Sequence, residues 1–141
     1  LKKQVVTPNK ETFFVGHYIG CQTILRYLQS LNIDSKIGGA VFVAGWFLLT
    51  PEATTKEEKM IAKPWIETPI NFIKVKEKTK KITVILSDND PFVDYKEHKN
   101  LFTKKLNAKI ILEKGKGHFI AEDKVTKVPE VMKELDLMVR R

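Results

Sequence analysis

The sequence predicts one α/β domain, a parallel sheet flanked by helices, over residues 1–141. Strand-like and helix-like segments alternate along the whole chain, the pattern that builds a parallel sheet. The strand segments are apolar at nearly every position, as strands covered on both faces are. Distinctive polar or glycine-bearing loops follow three of them, where open parallel sheets gather function.

The elements follow in order. Thr12-Phe13-Phe14-Val15 is an aromatic and β-branched run ending at Gly16, and reads as the first strand. From Ile19 to Leu31, Ile24, Leu25, Leu28 and Leu31 recur at helical spacing, and Asn32 ends the run. Ile37 to Ala44 is apolar throughout, with Gly38 and Gly39 inside it, and reads as a buried strand. Thr50 to Pro69 is irregular: Pro51, Pro64 and Pro69 break any long helix and leave a short one at Lys56 to Ile61. Ile70, Ile73 and Lys74 to Lys78 suggest an amphipathic helix whose outer face carries Lys74, Lys76, Lys78 and Lys80. Ile82 to Leu86 is the third strand, Tyr95 to Leu106 a helix, and Lys109 to Leu112 the fourth strand. Val128 to Arg140 is a last helix, with Pro129 in its first turn and Val131, Leu135 and Met138 along one face.

Composition narrows the class. The chain is 43% hydrophobic and 30% charged, which excludes disorder along its length. Cys21 is the only cysteine, so no disulfide framework exists within the chain. The formal charge of +8 invites a nucleic-acid reading, but only Arg26, Arg140 and Arg141 are arginines among the 25 basic residues. Bidentate recognition of phosphate and bases favours arginine, and no nucleic-acid-binding motif is present, so no nucleic-acid partner is expected. Lysines mixed with glutamates, as in Lys56-Glu57-Glu58-Lys59, read as solvated surface. The longest apolar stretch, Ile37 to Leu49, has 13 residues and falls short of the ~20 a spanning helix needs. Leu1-Lys2-Lys3-Gln4 lacks the apolar run of a signal peptide. The expectation is a cytoplasmic protein with no membrane partner.

Three loops are candidates for chemistry. Val15-Gly16-His17-Tyr18-Ile19-Gly20 follows the first strand, Ser87-Asp88-Asn89-Asp90-Pro91-Phe92-Val93 the third, and Glu113-Lys114-Gly115-Lys116-Gly117-His118-Phe119 the fourth. A strand, then Gly-x-x-x-Gly, then a helix is the sequence of a nucleophile elbow, whose central residue sits on a strained turn between glycines that let strand and helix approach. Nucleophile, acid and histidine follow one another in that fold, and Asp90 and His118 keep the order.

Together, Gly16-His17-x-Ile19-Gly20-Cys21, Ser87-Asp88-x-Asp90-Pro91-Phe92-Val93, Gly117-His118-Phe119 and Val128-Pro129-Glu130-Val131 resemble one family of the α/β-hydrolase superfamily. It is the family of small single-domain serine hydrolases that includes the retinoblastoma-binding serine hydrolase and YdeN-like bacterial proteins. The resemblance runs across nearly all of the chain. It implies an α/β-hydrolase-type sheet, carboxylic esters as substrate class, a small acyl-ester-like ligand and no cofactor. It implies Asp90 as triad acid and His118 as triad base, with Asp90 preferred over Asp88 because Val93 stands three residues after it.

Two departures qualify what the resemblance implies. Tyr18 stands where the nucleophilic serine belongs. Its hydroxyl lies several ångströms further from the backbone than a serine hydroxyl, outside the reach of oxyanion donors placed for serine. Its pKa of ~10 also leaves it protonated at neutral pH. The expectation is a pseudoenzyme, hydrolytic activity lost or severely impaired. Second, Leu1 to Val6 matches the tail of the helix that precedes the nucleophile strand in the family, so the family's N-terminal strands and a glycine loop donating to the oxyanion hole have no counterpart among these residues. Thr12 to Val15 then becomes an edge strand, open to pairing with a second copy or a partner chain. The alternative expectation is accordingly a non-catalytic binding or interaction module that uses a vacant pocket and this edge.

The remaining candidates favour structural roles. Cys21 reads as a buried thiol one turn into the helix rather than a replacement nucleophile. His17 supports the elbow, His98 lies on a helix surface, and Asp88 shapes its loop. The three histidines and Cys21 are not spaced as metal ligands. Trp46 and Trp65 flank the proline-rich stretch, lining a pocket or packing.

Overall fold

The computed structural model describes residues 1–140, with Arg141 outside them. Four strands, β1 (Phe13–His17), β2 (Gly39–Val43), β3 (Ile82–Ser87) and β4 (Lys109–Glu113), form one parallel sheet in the order β1-β2-β3-β4. Five helices accompany it: α1 (Ile19–Gln29), α2 (Lys56–Glu67), α3 (Phe72–Lys78), α4 (Tyr95–Leu106) and α5 (Pro129–Val139).

The period-2 alternation of each strand divides the core in two. Ala40 and Phe42 of β2 and Ile82, Val84 and Leu86 of β3 join Ile24, Leu25 and Leu28 of α1, Val75 of α3 and Phe102 and Leu106 of α4 on one face. Val41, Val43 and Ile85 turn the other way, to Met138 of α5, with Val131 and Leu135 packed alongside. This is why β2 and β3 are buried at every position and read as continuous apolar runs. Glu134 fixes α5 to the sheet: its carboxylate accepts from Thr83 Oγ1 at 3.0 Å and from Lys109 Nζ at 2.8 Å.

Caps explain most element starts. Thr55 and Glu58 form a capping box at α2, Asn71 accepts from Lys74 N at α3, and Asp94 accepts from Glu97 N at α4. Asn71 also sets the start of α3 at Phe72 rather than at Ile70. α1 ends at Gln29, two residues before Leu31.

Three expectations are corrected. Pro64 does not end α2, which runs on to Glu67. The carbonyl that loses its partner belongs to Met60, a residue 69% exposed and so open to solvent. Lys78 is not on an outer face; it is buried, and its Nζ donates to Asn32 O at 2.6 Å. The first strand does not stop at Val15 but pairs on through His17, opposite Val43. It is the edge of the sheet among the described residues.

Candidate active site

The carboxyl ends of β1, β3 and β4 bring the three candidate loops together. Tyr18 follows β1 with φ 54° and ψ −117°, a conformation that a non-glycine residue rarely holds. Two backbone bonds keep it there: Tyr18 N donates to Val43 O at 3.0 Å, and Cys21 N donates to Tyr18 O at 3.1 Å. Gly16 permits the tight turn, because a Cβ there would meet Cys21 N at 3.0 Å and Gly20 C at 3.1 Å. Gly20, expected to share this role, faces open space. The local geometry is that of a nucleophile elbow.

Asp90 and His118 meet across 28 residues of sequence: His118 Nδ1 donates to Asp90 Oδ2 at 2.9 Å. The Asp90 side chain is 1% exposed. Its other oxygen accepts from Phe92 N at 2.9 Å and Val93 N at 3.2 Å, so both carboxyl oxygens are held by donors. A carboxylate on Nδ1 fixes the imidazole tautomer and turns Nε2 outward, toward the elbow.

The two loops around this pair are laced together. Asp88 Oδ1 accepts from Gly115 N, Asn89 Oδ1 from Gly117 N, and Ser87 Oγ from Lys116 N. Asp88 is thus a loop former, and Asp90 rather than Asp88 reaches the imidazole ring of His118. Asp123, which no sequence motif singled out, accepts from His118 N at 2.8 Å. It stands where a side chain at Gly117 would fall, and Gly117 has φ +55°. His17 Nε2 donates to His118 O at 2.9 Å, a supporting role as expected.

Tyr18 and His118 are neighbours but are not hydrogen-bonded. The rings meet edge-on, centroids 4.6 Å apart and planes at 87°. Trp46 and Phe92 flank the phenol at 5.7 and 6.4 Å. Burial, then the Glu58 and Asp90 carboxylates, raise the Tyr18 hydroxyl above its ordinary pKa. The phenol is therefore a poor nucleophile unless a base takes its proton. The phenol ring is packed between His118, Trp46 and Phe92, and Tyr18, Asp90 and His118 line none of the five cavities at Leu49–Glu67, Lys10–Val139, Lys80–Met138, Gln22–Lys105 and Glu113–Lys133.

Ile19 was not singled out in the sequence. Its N–H opens α1 immediately after the elbow, where the helix leaves its first donors unpaired and where this fold takes one oxyanion donor. The signal was its position alone. Cys21 is fully buried, burial pushes its thiol pKa up, and Sγ contacts Val43 O at 3.7 Å. It is a structural thiol. His98 corrects the expectation of a surface residue: it is 1% exposed, donates from Nδ1 to Asp94 O and accepts from Phe47 N at Nε2, 3.1 Å away. Trp46 is buried in the core, and Trp65 lies half-buried under Arg26, 5.6 Å above its ring. Among the described residues no cluster of three or more His, Cys, Asp or Glu side chains is arranged to hold a metal, and no helix is long and apolar enough to cross a membrane.

A parallel sheet with an elbow after one strand and an Asp–His pair in the loops after two others defines an α/β-hydrolase-type protein. The family described as "Serine hydrolase" matches residues 1–137, and the chain belongs to that family. It is 27% identical over 125 residues to a protein of Bacillus subtilis (strain 168) named "Putative hydrolase YdeN", a match covering 89% of this chain. The chain spans 62% of that relative's length. The crystal structure of the ydeN gene product from B. subtilis superposes with a TM-score of 0.80 at 25% identity, over 95% of this chain and 68% of that one.

Proposed function

We propose that this chain is a hydrolase-type scaffold of the serine hydrolase family whose own ester hydrolysis is lost. The Tyr18 side chain carries the reading: it holds the elbow's strained backbone but presents an aromatic edge to His118, with no hydrogen bond through which His118 would take its proton. In the active arrangement the acid orients the imidazole and the imidazole activates the nucleophile. Here the first half is in place, at 2.9 Å between Asp90 and His118. The second half is missing, because the Tyr18 hydroxyl makes no hydrogen bond to His118. Asp90 and His118 act as a retained pair that braces the loops after β3 and β4, and the family's ester substrates suggest a small acyl-ester-like ligand if any binds.

The test is direct. Purified protein incubated with a fluorophosphonate probe remains unlabelled and hydrolyses p-nitrophenyl acetate no faster than a denatured control. Tyr18→Phe leaves both results unchanged. Robust turnover that disappears in Tyr18→Phe would overturn the proposal.

A specific observation favours a second reading, an interaction module. β1 is the edge of the sheet among the described residues, and Val15 on it is 50% exposed. Tyr18 N and Thr12 O bond to β2 and its flank, so by the alternation of a parallel ladder the backbone groups of Phe13, Val15 and His17 face away from the sheet. Such an edge is a template for another strand.

A further inference from the structure

At the end of the sheet opposite the elbow, the loops leading into β1, β2 and β3 and the last turns of α3 and α5 border an open cavity of about 610 Å³. Lys10, Lys36, Lys76, Lys78, Lys80 and Lys81 line it, against one carboxylate, that of Glu77. These lysines are spread over 72 positions of sequence and look like dispersed surface charge until the fold gathers them.

The lysines fall into two groups. Three are tied to main-chain carbonyls: Lys36 Nζ donates to Glu77 O at 2.6 Å, Lys78 Nζ to Asn32 O at 2.6 Å and Lys81 Nζ to Met138 O at 2.8 Å. A carbonyl oxygen accepts a hydrogen bond but does not cancel the charge. Each ammonium has three donors, so Lys36 and Lys81 keep donors for another partner. The other three, Lys10, Lys76 and Lys80, have no hydrogen-bonded side-chain partner among the described residues. None of the six forms an ion pair with a carboxylate among those residues. Between the lysines lies apolar surface from Phe13, Ile37 and Met138. Positive charge concentrated in a concave site with low-dielectric walls focuses potential and raises local anion concentration. The volume lies within the ~300–1,000 Å³ of small-ligand sites.

We propose that this cavity binds a small organic polyphosphate, a molecule with two or more phosphate groups and an apolar or planar group. The phosphates meet Lys10, Lys76 and Lys80, and the apolar group lies against Phe13 and Met138. Lysine serves such a ligand as a point charge, without the planar geometry that arginine brings to base edges. The strands hold this site some 15 Å from Tyr18, since each of their residues rises ~3.3 Å. It is therefore independent of the elbow and of the activity proposed for it.

Isothermal titration calorimetry of the full chain with ATP, inorganic tripolyphosphate and adenosine tests the site. ATP binds with one site per chain, tripolyphosphate binds more weakly, and adenosine shows no heat at millimolar concentration. Lys76→Gln with Lys80→Gln weakens ATP binding at least tenfold, and Lys76→Arg with Lys80→Arg retains it within threefold. Lys99→Gln with Lys104→Gln, which makes the same charge change on exposed positions of α4, leaves it within twofold. Absence of saturable ATP binding overturns the proposal. So does an equal loss in the α4 pair, which would assign the binding to diffuse charge. Tighter binding of a 20-nucleotide single strand than of ATP, lost in the same Lys76/Lys80 variant, also overturns it in favour of a nucleic-acid surface.

Discussion

An alanine methyl at Gly16 would lie 2.8 Å from Ile24 Cδ1 and 3.0 Å from Cys21 N, and the backbone atom cannot rotate away. The same methyl at Gly20 would meet nothing within 4 Å. The two glycines of one motif therefore predict opposite outcomes. Gly16→Ala destabilises by about 1–3 kcal/mol, the usual cost of forcing atoms into a packed site. Gly20→Ala is neutral or stabilising by up to about 1 kcal/mol, because alanine is the better helix residue. Denaturant midpoints of the two variants check both signs. Gly-x-x-x-Gly was legible as an elbow in the sequence, but which glycine the packing requires depended on how close α1 lies to β1. Tyr18 is the converse case. Its identity was enough to exclude serine chemistry, whereas the edge-on stacking on His118 needed the fold.

At the scale of elements, α4 couples to the loop after β2 through His98. Its Nε2 accepts from Phe47 N and, at 3.4 Å, from Leu48 N, so the fold requires a neutral ring. Burial lowers the His98 pKa, opposed in part by the hydrogen bond to the Asp94 carbonyl and by the Glu97, Asp94 and Asp90 carboxylates. The folded state then binds fewer protons than the unfolded state once the pH falls below ~6.5, the ordinary histidine value. The stabilisation is complete above that pH and is lost as the pH falls through the depressed folded value. Thermal midpoints at pH 7.5 and 5.5 should show a larger drop in the natural chain than in His98→Gln, which starts lower but cannot titrate. An equal drop in both would assign the acid sensitivity to other groups. The helix Tyr95–Leu106 itself was read with its observed bounds. The burial of His98 was written in the same period, since residues 98, 102 and 106 fall on one face and Phe102 and Leu106 are core. A polar residue type obscured it. Pro64 misled for a related reason: its effect depends on whether the orphaned carbonyl faces water, which residue type does not specify.

Among the described residues, α5 covers one face of β2 to β4 but leaves Val15 of β1 half exposed beside backbone groups that no neighbouring strand pairs. If β1 is a pairing surface, the chain self-associates at micromolar concentration, and Val15→Lys shifts it toward monomer while changing its stability by no more than about 0.5 kcal/mol, as edge lysines do without disturbing a core. Static light scattering of both proteins is decisive, and a strictly monomeric natural chain at that concentration counts against the interaction-module reading.

The sequence by itself determined the parallel α/β architecture, the order of its elements, and the three loops that carry Tyr18, Asp90 and His118. Apolar periodicity, turn residues and motif order are local properties, and the family's pattern is carried by residue type. Only the tertiary structure decided which aspartate reaches the histidine ring, that Tyr18 packs edge-on against His118, and that six scattered lysines share one cavity. Those outcomes depend on distances between segments remote in sequence, set when the two faces of the sheet are packed.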